Sequence, residues 1–382
     1  MIKINAQDFL NAIEAASVGM GKGFVLLTEP SETDIGNGKK VQLASISSSD
    51  GTKTGLTNFQ IKTDETEGRM VSVCANLRPA VMSLAKITDV ICMELMDAYL
   101  TLSDEKKEAE IRVELLEKQD IVLELPNNSE EAIALTISRE KFAAAIRMGS
   151  YCAGDSMATP GFDCISFRVD AQDKELWVAS MRDEMVCRAI VPIEEVYDPS
   201  NASMQWHLVN HKFVQKMITQ LSGDRIQIAF DSRYMVVQCA TGLFASKKSE
   251  GIFAESYSNL LSDAEYDYCG TVAKKNLLTG MEIALVGSEE PCLNFETNEN
   301  GTLKLTRTNG ENKATVIQNE HEGMLQKTCY GCEFLKMIMA SYKDEELYYF
   351  GKKGDASAKS FLRTSGESEG VRYNAVIAPI NR

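Results

Sequence analysis

Two cysteines, Cys329 and Cys332, stand in the Cys-x-x-Cys spacing that redox dithiols and half of many zinc sites use. Cys332 opens an amphipathic helical pattern, and a helix N-terminus can lower the pKa of a thiol, so a reactive dithiol is one interpretation. The other interpretation is that both cysteines have only a structural role. A zinc site needs four ligands, and the chain has no second Cys-x-x-Cys and only three histidines, His207, His211 and His321. A thioredoxin-like site would also need a βαβ setting, so we expect Cys332 to be the start of a helix.

Other catalytic fingerprints are missing from the sequence. It has no G-x-x-x-x-G-K-[ST] loop, no H-E-x-x-H and no G-x-S-x-G. Carboxylate clusters, such as the one at 194 to 198, are typical of solvated loops. We therefore predict no catalytic residue, no metal ligand and no cofactor, and we expect a protein that is not an enzyme.

Composition limits the class of protein. The chain has 382 residues, of which 44% are apolar, enough for two or three domains. It lacks a run of about 18 apolar residues, and its ten cysteines lie mostly within apolar runs, as is typical of a reducing cytoplasm. We expect a cytoplasmic protein with no membrane partner. The net charge of −15 argues against ordinary electrostatic capture of nucleic acid but leaves room for a locally basic face.

An internal repeat organises the chain. Three segments that begin at Ile4, Ile137 and Val272 share an apolar entry followed by an amphipathic helix, and their starts are 133 and 135 residues apart. A second helical pattern begins in each unit, at Asn76, Asn210 and Cys332. Strand-like alternation surrounds these helices, as in EIRVELL and RIQIAF. The repeat predicts an α+β fold in which each unit places two helices on one face of an antiparallel sheet.

Domain boundaries are predicted where the sequence is polar and lacks periodicity, at 125 to 132 and at 260 to 267. The predicted domains are 1–126, 127–262 and 263–382.

Positive charge concentrates on the six predicted helices. They contain eleven basic and five acidic residues, whereas the rest of the chain contains 29 basic and 50 acidic residues. Solvated lysines and arginines are common on helices, which is one explanation. The other is that the helices line a shared surface that faces a polyanion and contacts phosphates without sequence preference.

These features together resemble one family, the β sliding clamp of bacterial DNA polymerase III. The resemblance covers the whole chain through its length, its three repeats of two helices each, its acidic bulk charge and its ending, RYNAVIAPINR. It implies three clamp-type domains in each chain and a homodimer that closes head to tail into a ring around duplex DNA. The ring would retain DNA by topology and would tether a DNA polymerase and a clamp loader through their short linear motifs.

The resemblance also implies a set of DNA-facing residues. Lys22, in the loop after the first helix, matches a basic position that contacts DNA in the family. Further candidates follow from their positions on the helices: Arg78, Lys86, Arg139, Arg147, Lys212, Lys216, Lys274, Lys275, Lys336 and Lys343.

A pocket for partner peptides is implied between the second and third domains. By alignment its residues are Phe162, Met181, Val186, Leu260, Val376, Ala378, Pro379 and Ile380. The sequence departs from the family at two places. The usual Thr-Asp-Gly-His-Arg-Leu turn is replaced by the segment from Met181 to Val186, and the usual Met-Pro-Met-Arg-Leu ending by Ala-Pro-Ile-Asn-Arg. The pocket stays apolar but has lost its usual glycine and histidine, as expected of a diverged phage or mobile-element member.

Two alternatives remain at this stage. One is a protein-interaction scaffold of repeated α+β domains that never meets DNA, and the other is an enzyme that uses the dithiol. Individual pocket residues also fit an ordinary interdomain core. Ring closure would pair edge strands, for which EIRVELL at 110 to 116 and LKLTRT at 303 to 308 are the candidates.

Overall fold

A computed structural model gives the fold of the protein. It describes residues 1–19, 21–34, 40–117, 132–154, 159, 161–182, 185–198, 205–251, 253, 261, 268–289, 291–307, 312–343, 345–351 and 361–380. Most of the predicted boundary at 125 to 132 and most of the one at 260 to 267 therefore lie outside the described residues.

Six α-helices lie in the described residues. They are α1 (Ala6–Ala16), α2 (Leu77–Leu84), α3 (Arg139–Gly149), α4 (His211–Ile218), α5 (Lys274–Leu285) and α6 (Cys332–Ser341). Each coincides with one of the six helical patterns in the sequence, which confirms those six predictions.

The strands are β1 (Ile2–Asn5), β2 (Gly23–Asp34), β3 (Lys40–Ser49), β4 (Lys53–Thr63), β5 (Arg69–Cys74), β6 (Val90–Leu95), β7 (Tyr99–Ser103), β8 (Glu110–Leu116), β9 (Ile133–Ser138), β10 (Cys164–Asp170), β11 (Glu175–Arg182), β12 (Met185–Pro192), β13 (Glu195–Tyr197), β14 (Trp206–Asn210), β15 (Arg225–Phe230), β16 (Tyr234–Gln238), β17 (Gly242–Lys247), β18 (Tyr268–Ala273), β19 (Cys292–Thr297), β20 (Leu303–Arg307), β21 (Lys313–Val316), β22 (Glu320–Glu322), β23 (Thr328–Gly331), β24 (Glu346–Gly351), β25 (Leu362–Ser368) and β26 (Val371–Ile377).

The chain divides into two compact units. The first consists of Met1–Arg139, Glu195–Ala202 and Lys212–Lys248, and the second of Glu140–Glu194, Ser203–His211 and Ser249–Arg382. The predicted second domain contributes residues to both units. The division into three domains stays a prediction.

In the first unit a thirteen-stranded antiparallel sheet has the order β1-β6-β7-β8-β5-β2-β3-β4-β17-β16-β15-β9-β13. The side chain of Asn5 caps α1 by accepting hydrogen bonds from the backbone N–H groups of Gln7 and Asp8, both at 3.0 Å. Phe9 and Ile13, one turn apart on α1, are fully buried in the apolar core of this unit. The ring of Phe9 lies 5.1 Å from that of Phe59 on β4, so aromatic packing fixes the helix on the sheet.

The second unit contains two antiparallel sheets. The nine-stranded sheet has the order β14-β10-β11-β12-β26-β25-β24-β18-β22, and the four-stranded sheet has the order β21-β20-β19-β23. Phe142 of α3 stacks on Phe167 of β10 at 6.3 Å, which places α3 on one face of the larger sheet. Helix α5 packs on the smaller sheet at Gly280, where an added Cβ would lie 2.6 Å from Val316 Cγ2.

The antiparallel α+β class is confirmed, but one strand prediction is wrong. LKLTRT was expected to offer a free edge for ring closure, whereas β20 lies between β19 and β21 and pairs with both. The outer strand of that sheet, among the described residues, is β21. EIRVELL forms β8, which pairs with β7 along its length and with β5 only at Leu115 and Leu116. Alternating apolar residues identify a strand but do not say which strands lie beside it.

Candidate functional site

An apolar cluster on the nine-stranded sheet brings four of the predicted pocket residues together. Phe162, Met181, Val186 and Val376 are all at most 5% exposed, and Cys164, Ala179, Leu208, Phe253 and Leu261 complete the cluster. The strand register explains the grouping. Met181 is directly opposite Val186, and Val186 is directly opposite Val376, so the three side chains form a row across β11, β12 and β26. Leu260 lies outside the described residues.

The turn that departs from the family lies at the end of this row. Arg182 pairs with Met185 across the hairpin of β11 and β12, and residues 183 and 184 lie outside the described part of the chain. A Cβ built on Gly154 would lie 2.3 Å from Arg182 Nη2, so the guanidinium covers the backbone there. Gly154 N–H donates to the carbonyl of Phe162 at 2.9 Å. Arg182 therefore borders the loop that holds Phe162.

The last described residues leave the sheet and join a different strand. Ala378, Pro379 and Ile380 follow β26 and are half-buried. Ile380 N–H donates to the carbonyl of Cys329 at 2.9 Å, and Ile380 Cδ1 would lie 3.8 Å from a Cβ on Gly331. The segment is thus tied to β23, whereas Val376 lies in the apolar cluster.

An arginine and tryptophan ladder, which sequence analysis missed, lies on the same sheet. Arg168 of β10 lies directly opposite Trp206 of β14 and Trp177 of β11. Its Cζ is 4.6 Å from the ring centre of Trp177 and 5.7 Å from that of Trp206, and Arg188 Cζ is 4.7 Å from Trp177. Trp206 also packs on Phe253 at 4.4 Å, which joins the ladder to the apolar cluster. Both tryptophans stand in alternating strand patterns, but only the strand order brings them together.

Arg188 of the ladder and Asn374 of β26 both bind the backbone of Leu261. Arg188 Nη2 donates to the carbonyl of Leu261 at 3.0 Å, and Asn374 Nδ2 donates to the same carbonyl at 3.3 Å. Leu261 is fully buried in the apolar cluster. Two side chains from neighbouring strands therefore fix Leu261 on this face of the sheet.

The Cys-x-x-Cys has the geometry of a structural feature. Cys329 lies on β23, Cys332 begins α6, and both are buried. Cys332 N–H donates to the carbonyl of Pro291 at 2.7 Å, which anchors the helix start to the neighbouring strand connection. Burial raises the pKa of the Cys332 thiol to about 12. A thiol held protonated is a poor nucleophile, so the geometry favours the structural interpretation.

Most candidate DNA-facing side chains lie on exposed helix surfaces. Nine are exposed: Lys22, Arg78, Lys86, Arg147, Lys212, Lys216, Lys275, Lys336 and Lys343. The other two, Arg139 and Lys274, are half-buried and are the first residues of α3 and α5. Arg139 Nη1 donates to the carbonyl of Leu221 at 3.4 Å, and Lys274 Nζ donates to that of Tyr342. Each of these two cations therefore binds a backbone carbonyl beyond the second helix of its repeat.

Within the described part of the chain, the exposed cations Arg78, Arg147 and Lys343 are paired with carboxylates. Arg78 Nε lies 2.8 Å from Glu14 Oε1, which joins α2 to α1. Arg147 and Lys343 both bind Glu369, one on each carboxylate oxygen. The pKa of Glu369 is lowered by the hydrogen bond from Lys343 and then by that from Arg147.

No protein-family profile and no curated protein sequence matches the chain. Solved structures do match over the full length of both chains. The DNA polymerase III β subunit of Thermotoga maritima shares 13% identity with a TM-score of 0.78 and covers 100% of each chain. The β clamp of Helicobacter pylori shares 10% identity with a TM-score of 0.81 and covers 100% of each chain. The β subunit of Pseudomonas aeruginosa shares 13% identity with a TM-score of 0.78 and covers 100% of each chain.

These similarities define the class of fold. The chain has the fold of the DNA polymerase III β subunits, the sliding clamps, from end to end, which confirms the resemblance drawn from the sequence. In the part of the chain that the structure describes, no helix is both long and apolar enough to cross a membrane.

Proposed function

We propose that this protein is a DNA sliding clamp. Two chains close head to tail into a ring around duplex DNA, and the ring tethers a replicative DNA polymerase without catalysing a reaction. A clamp loader places the ring on DNA, and both partners bind through short linear motifs. Such a protein works on DNA in the cytoplasm. The observation that carries the proposal is the end-to-end similarity of the fold to DNA polymerase III β subunits, with TM-scores of 0.78 to 0.81.

The distribution of charge supports a sequence-independent DNA surface. The protein has a net charge of −15, yet nine of the eleven candidate cations are exposed on or beside the helices. Among the described residues, Lys86, Lys216, Lys275 and Lys336 form no salt bridge. Such side chains can neutralise phosphates without reading bases.

Exposed apolar side chains support dimerisation. In the first unit, Met82 on α2 and Ile87 just beyond its end are 42% and 66% exposed. In the second unit, Ile283 on α5 and Val286 just beyond its end are 52% and 66% exposed. We infer that the first pair of one chain packs on the second pair of the next, a heterologous contact that closes a ring when it is used twice. The first part of β8, which β5 does not pair, and the outer strand β21 offer backbone edges for the same interface.

The peptide site is proposed at the row of Met181, Val186 and Val376 and at the segment from Ala378 to Ile380 that follows it. The row is buried and supplies the apolar floor of the site, and the half-buried segment supplies a border that a peptide side chain can reach. Arg182, beside this row, gives the border a positive charge that the family's turn does not have at the same place. A peptide with an apolar anchor and an acidic neighbour would suit this arrangement.

The decisive experiment combines particle shape with DNA binding. Negative-stain electron microscopy of the purified protein should show a six-lobed ring with a hole about 20 Å wide or more, because the hole must exceed the major groove width of about 12 Å. Compact particles or open arcs at high protein concentration would favour the scaffold that never meets DNA.

A charge-reversal variant tests the helices directly. Lys212 and Lys216 lie one turn apart on α4, and both are exposed. The variant K212E/K216E should weaken loading on primed DNA and flatten the slope of log K against log salt by about 1.8, since each lost phosphate contact removes about 0.9. The matched control K62E/K174E changes the net charge equally at two exposed lysines outside the helices, one on β4 and one in the turn between β10 and β11. Equal effects of the two variants would show that α4 does not face the DNA.

A further inference from the structure

A tight turn brings a carboxylate against two of the candidate DNA-facing helices. Glu369 and Gly370 are the two residues between β25 and β26, and Ser368 pairs directly with Val371. Their φ angles are 55° and 70°, as in a type I′ hairpin turn, the two-residue turn that matches the twist of antiparallel strands. The short turn leaves Glu369 at the tip of a rigid hairpin. Its position is therefore fixed by strand pairing and not by a long loop.

The carboxylate at this tip is held by two cations from different elements. Arg147, near the end of α3, donates from Nη2 to Glu369 Oε2. Lys343, two residues after α6, donates from Nζ to Glu369 Oε1. Arg147 Nε also lies 3.4 Å from the carbonyl of Ser341, so the guanidinium is oriented by the end of α6 as well. A third cation is close, since a Cβ built on Gly370 would lie 3.6 Å from Lys141 Cε.

This arrangement has the chemistry of a phosphate site. A phosphodiester presents two non-bridging oxygens that share one negative charge, and a carboxylate presents two oxygens in the same way. A guanidinium on one oxygen and an ammonium on the other would bind either group. The ion pairs are also open to exchange. The side chains of Glu369, Arg147 and Lys343 are 32%, 39% and 64% exposed. Ion pairs between side chains this exposed contribute little free energy, so another anion can displace the carboxylate.

We propose that Arg147 and Lys343 form a phosphate-binding site on the DNA-facing surface, and that Glu369 occupies this site as an internal substitute for phosphate when DNA is not bound there. The proposal rests on the proposed clamp function and names a device that regulates it. A passing phosphate must displace Glu369, whose charge then lies beside it. Each such contact is weakened, and the ring can move along DNA without being held at one place.

The test removes the charge of Glu369 and keeps its shape. Glu369→Gln leaves both cations without their internal anion. The control is Glu367→Gln, which makes the same change in net charge on the same hairpin. Glu367 is exposed and forms no salt bridge among the described residues. Binding of a labelled 30-base-pair duplex is measured by fluorescence anisotropy between 50 and 200 mM salt. Thermal melting and electron microscopy verify that both variants fold and assemble as the wild-type protein does.

The expected result is tighter binding by E369Q with a steeper salt dependence. Two additional phosphate contacts add about 1.8 to the slope, so E369Q should lose about 12-fold more affinity than E367Q when salt rises fourfold, from 50 to 200 mM. The double variant R147Q/E369Q retains only Lys343 and should show about half of the additional slope. This intermediate value separates a two-cation site from a general effect of net charge.

Two outcomes overturn the proposal in different ways. If E369Q and E367Q bind duplex DNA alike, while K212E/K216E still flattens the salt slope, then Glu369 does not occupy a phosphate site and the clamp function stands. If electron microscopy shows no ring, and neither the wild-type protein nor any variant binds duplex DNA at 50 mM salt, the proposed function itself fails, and the phosphate site fails with it.

Discussion

Removal of the last five residues should separate folding from partner binding. The deletion of residues 378 to 382 ends the chain at Ile377, the last residue of β26. Strand β26 keeps its pairing with β12 on one side and with β25 on the other. The described part of the deleted segment is tied to the second unit by the hydrogen bond from Ile380 N–H to the carbonyl of Cys329. We therefore expect the fold to survive and peptide binding to be lost.

The cost to stability can be worked out from these contacts. Loss of one backbone hydrogen bond removes about 1 kcal/mol. Exposure of a half-buried isoleucine removes about 1 kcal/mol more, since full burial contributes about 1.5 to 3 kcal/mol. A total of about 2 kcal/mol is small beside the 5 to 15 kcal/mol by which domains of ordinary size are stable. It should lower the Tm of the second unit by about 4 to 8 °C and leave the unit folded at 25 °C.

The assay compares two truncations. Labelled peptides tiled across the replicative polymerase of the same cell are titrated with wild-type protein, with the chain that ends at Ile377 and with a control that ends at Ile380. The control keeps the contact with Cys329 and should bind like wild type. The shorter chain should bind at least about 10-fold more weakly, because about 1.4 kcal/mol of lost contact corresponds to a factor of ten. Unchanged affinity in a folded protein would refute the assignment of this segment to the peptide site.

Four further predictions concern the cores. With the pKa of Cys332 raised to about 12 from an ordinary 9.0, its alkylation at pH 8 should be about 1000-fold slower than that of a free thiol by peptide mass spectrometry. The unfolded thiol loses its proton at lower pH, so the stability that this buried thiol contributes is present below about pH 9 and should fall as pH rises toward 12, which alkaline melts will show. Phe9→Ala should lower the free energy of unfolding of the first unit by about 3 to 5 kcal/mol in a denaturant titration, since Phe9 is fully buried against Phe59. Gly280→Leu should cost about 1 to 3 kcal/mol by overpacking α5 against Val316, and faster limited proteolysis near α5 would report it.

Local pattern was enough to predict the elements, because helices and strands follow from periodicity within about ten residues. The helical pattern after Ile4 became α1, and EIRVELL became β8 with the same ends. The start of α6 at Cys332 was also predictable, since the competing chemistry needed ligands that the sequence lacks. Apolar spacing therefore fixed which face of each element is buried.

Arrangements that depend on long-range pairing could not be predicted from the sequence. Strand β20 was expected at an edge and lies inside its sheet, because alternation carries no information about neighbours. For the same reason the sequence did not predict the ladder of Arg168 with its two tryptophans, because these three residues lie on three different strands. The Glu-Gly turn at 369 was a detectable signal for a hairpin. Its contact with Arg147, 222 residues away in sequence, was not.

The paired cations also distinguish the two functions that the sequence left open. In a scaffold that never meets DNA, the contacts of Glu14 with Arg78 and of Glu369 with Arg147 are ordinary surface ion pairs, each worth about 0 to 1 kcal/mol. Removing both carboxylates would then change stability slightly and leave partner binding alone. In a sliding clamp, the same carboxylates lie on the surface that meets phosphates and weaken a binding that topology already secures. The double variant E14Q/E369Q should therefore hold DNA more tightly and slide on it more slowly, because each released cation adds a phosphate contact that must break at every step.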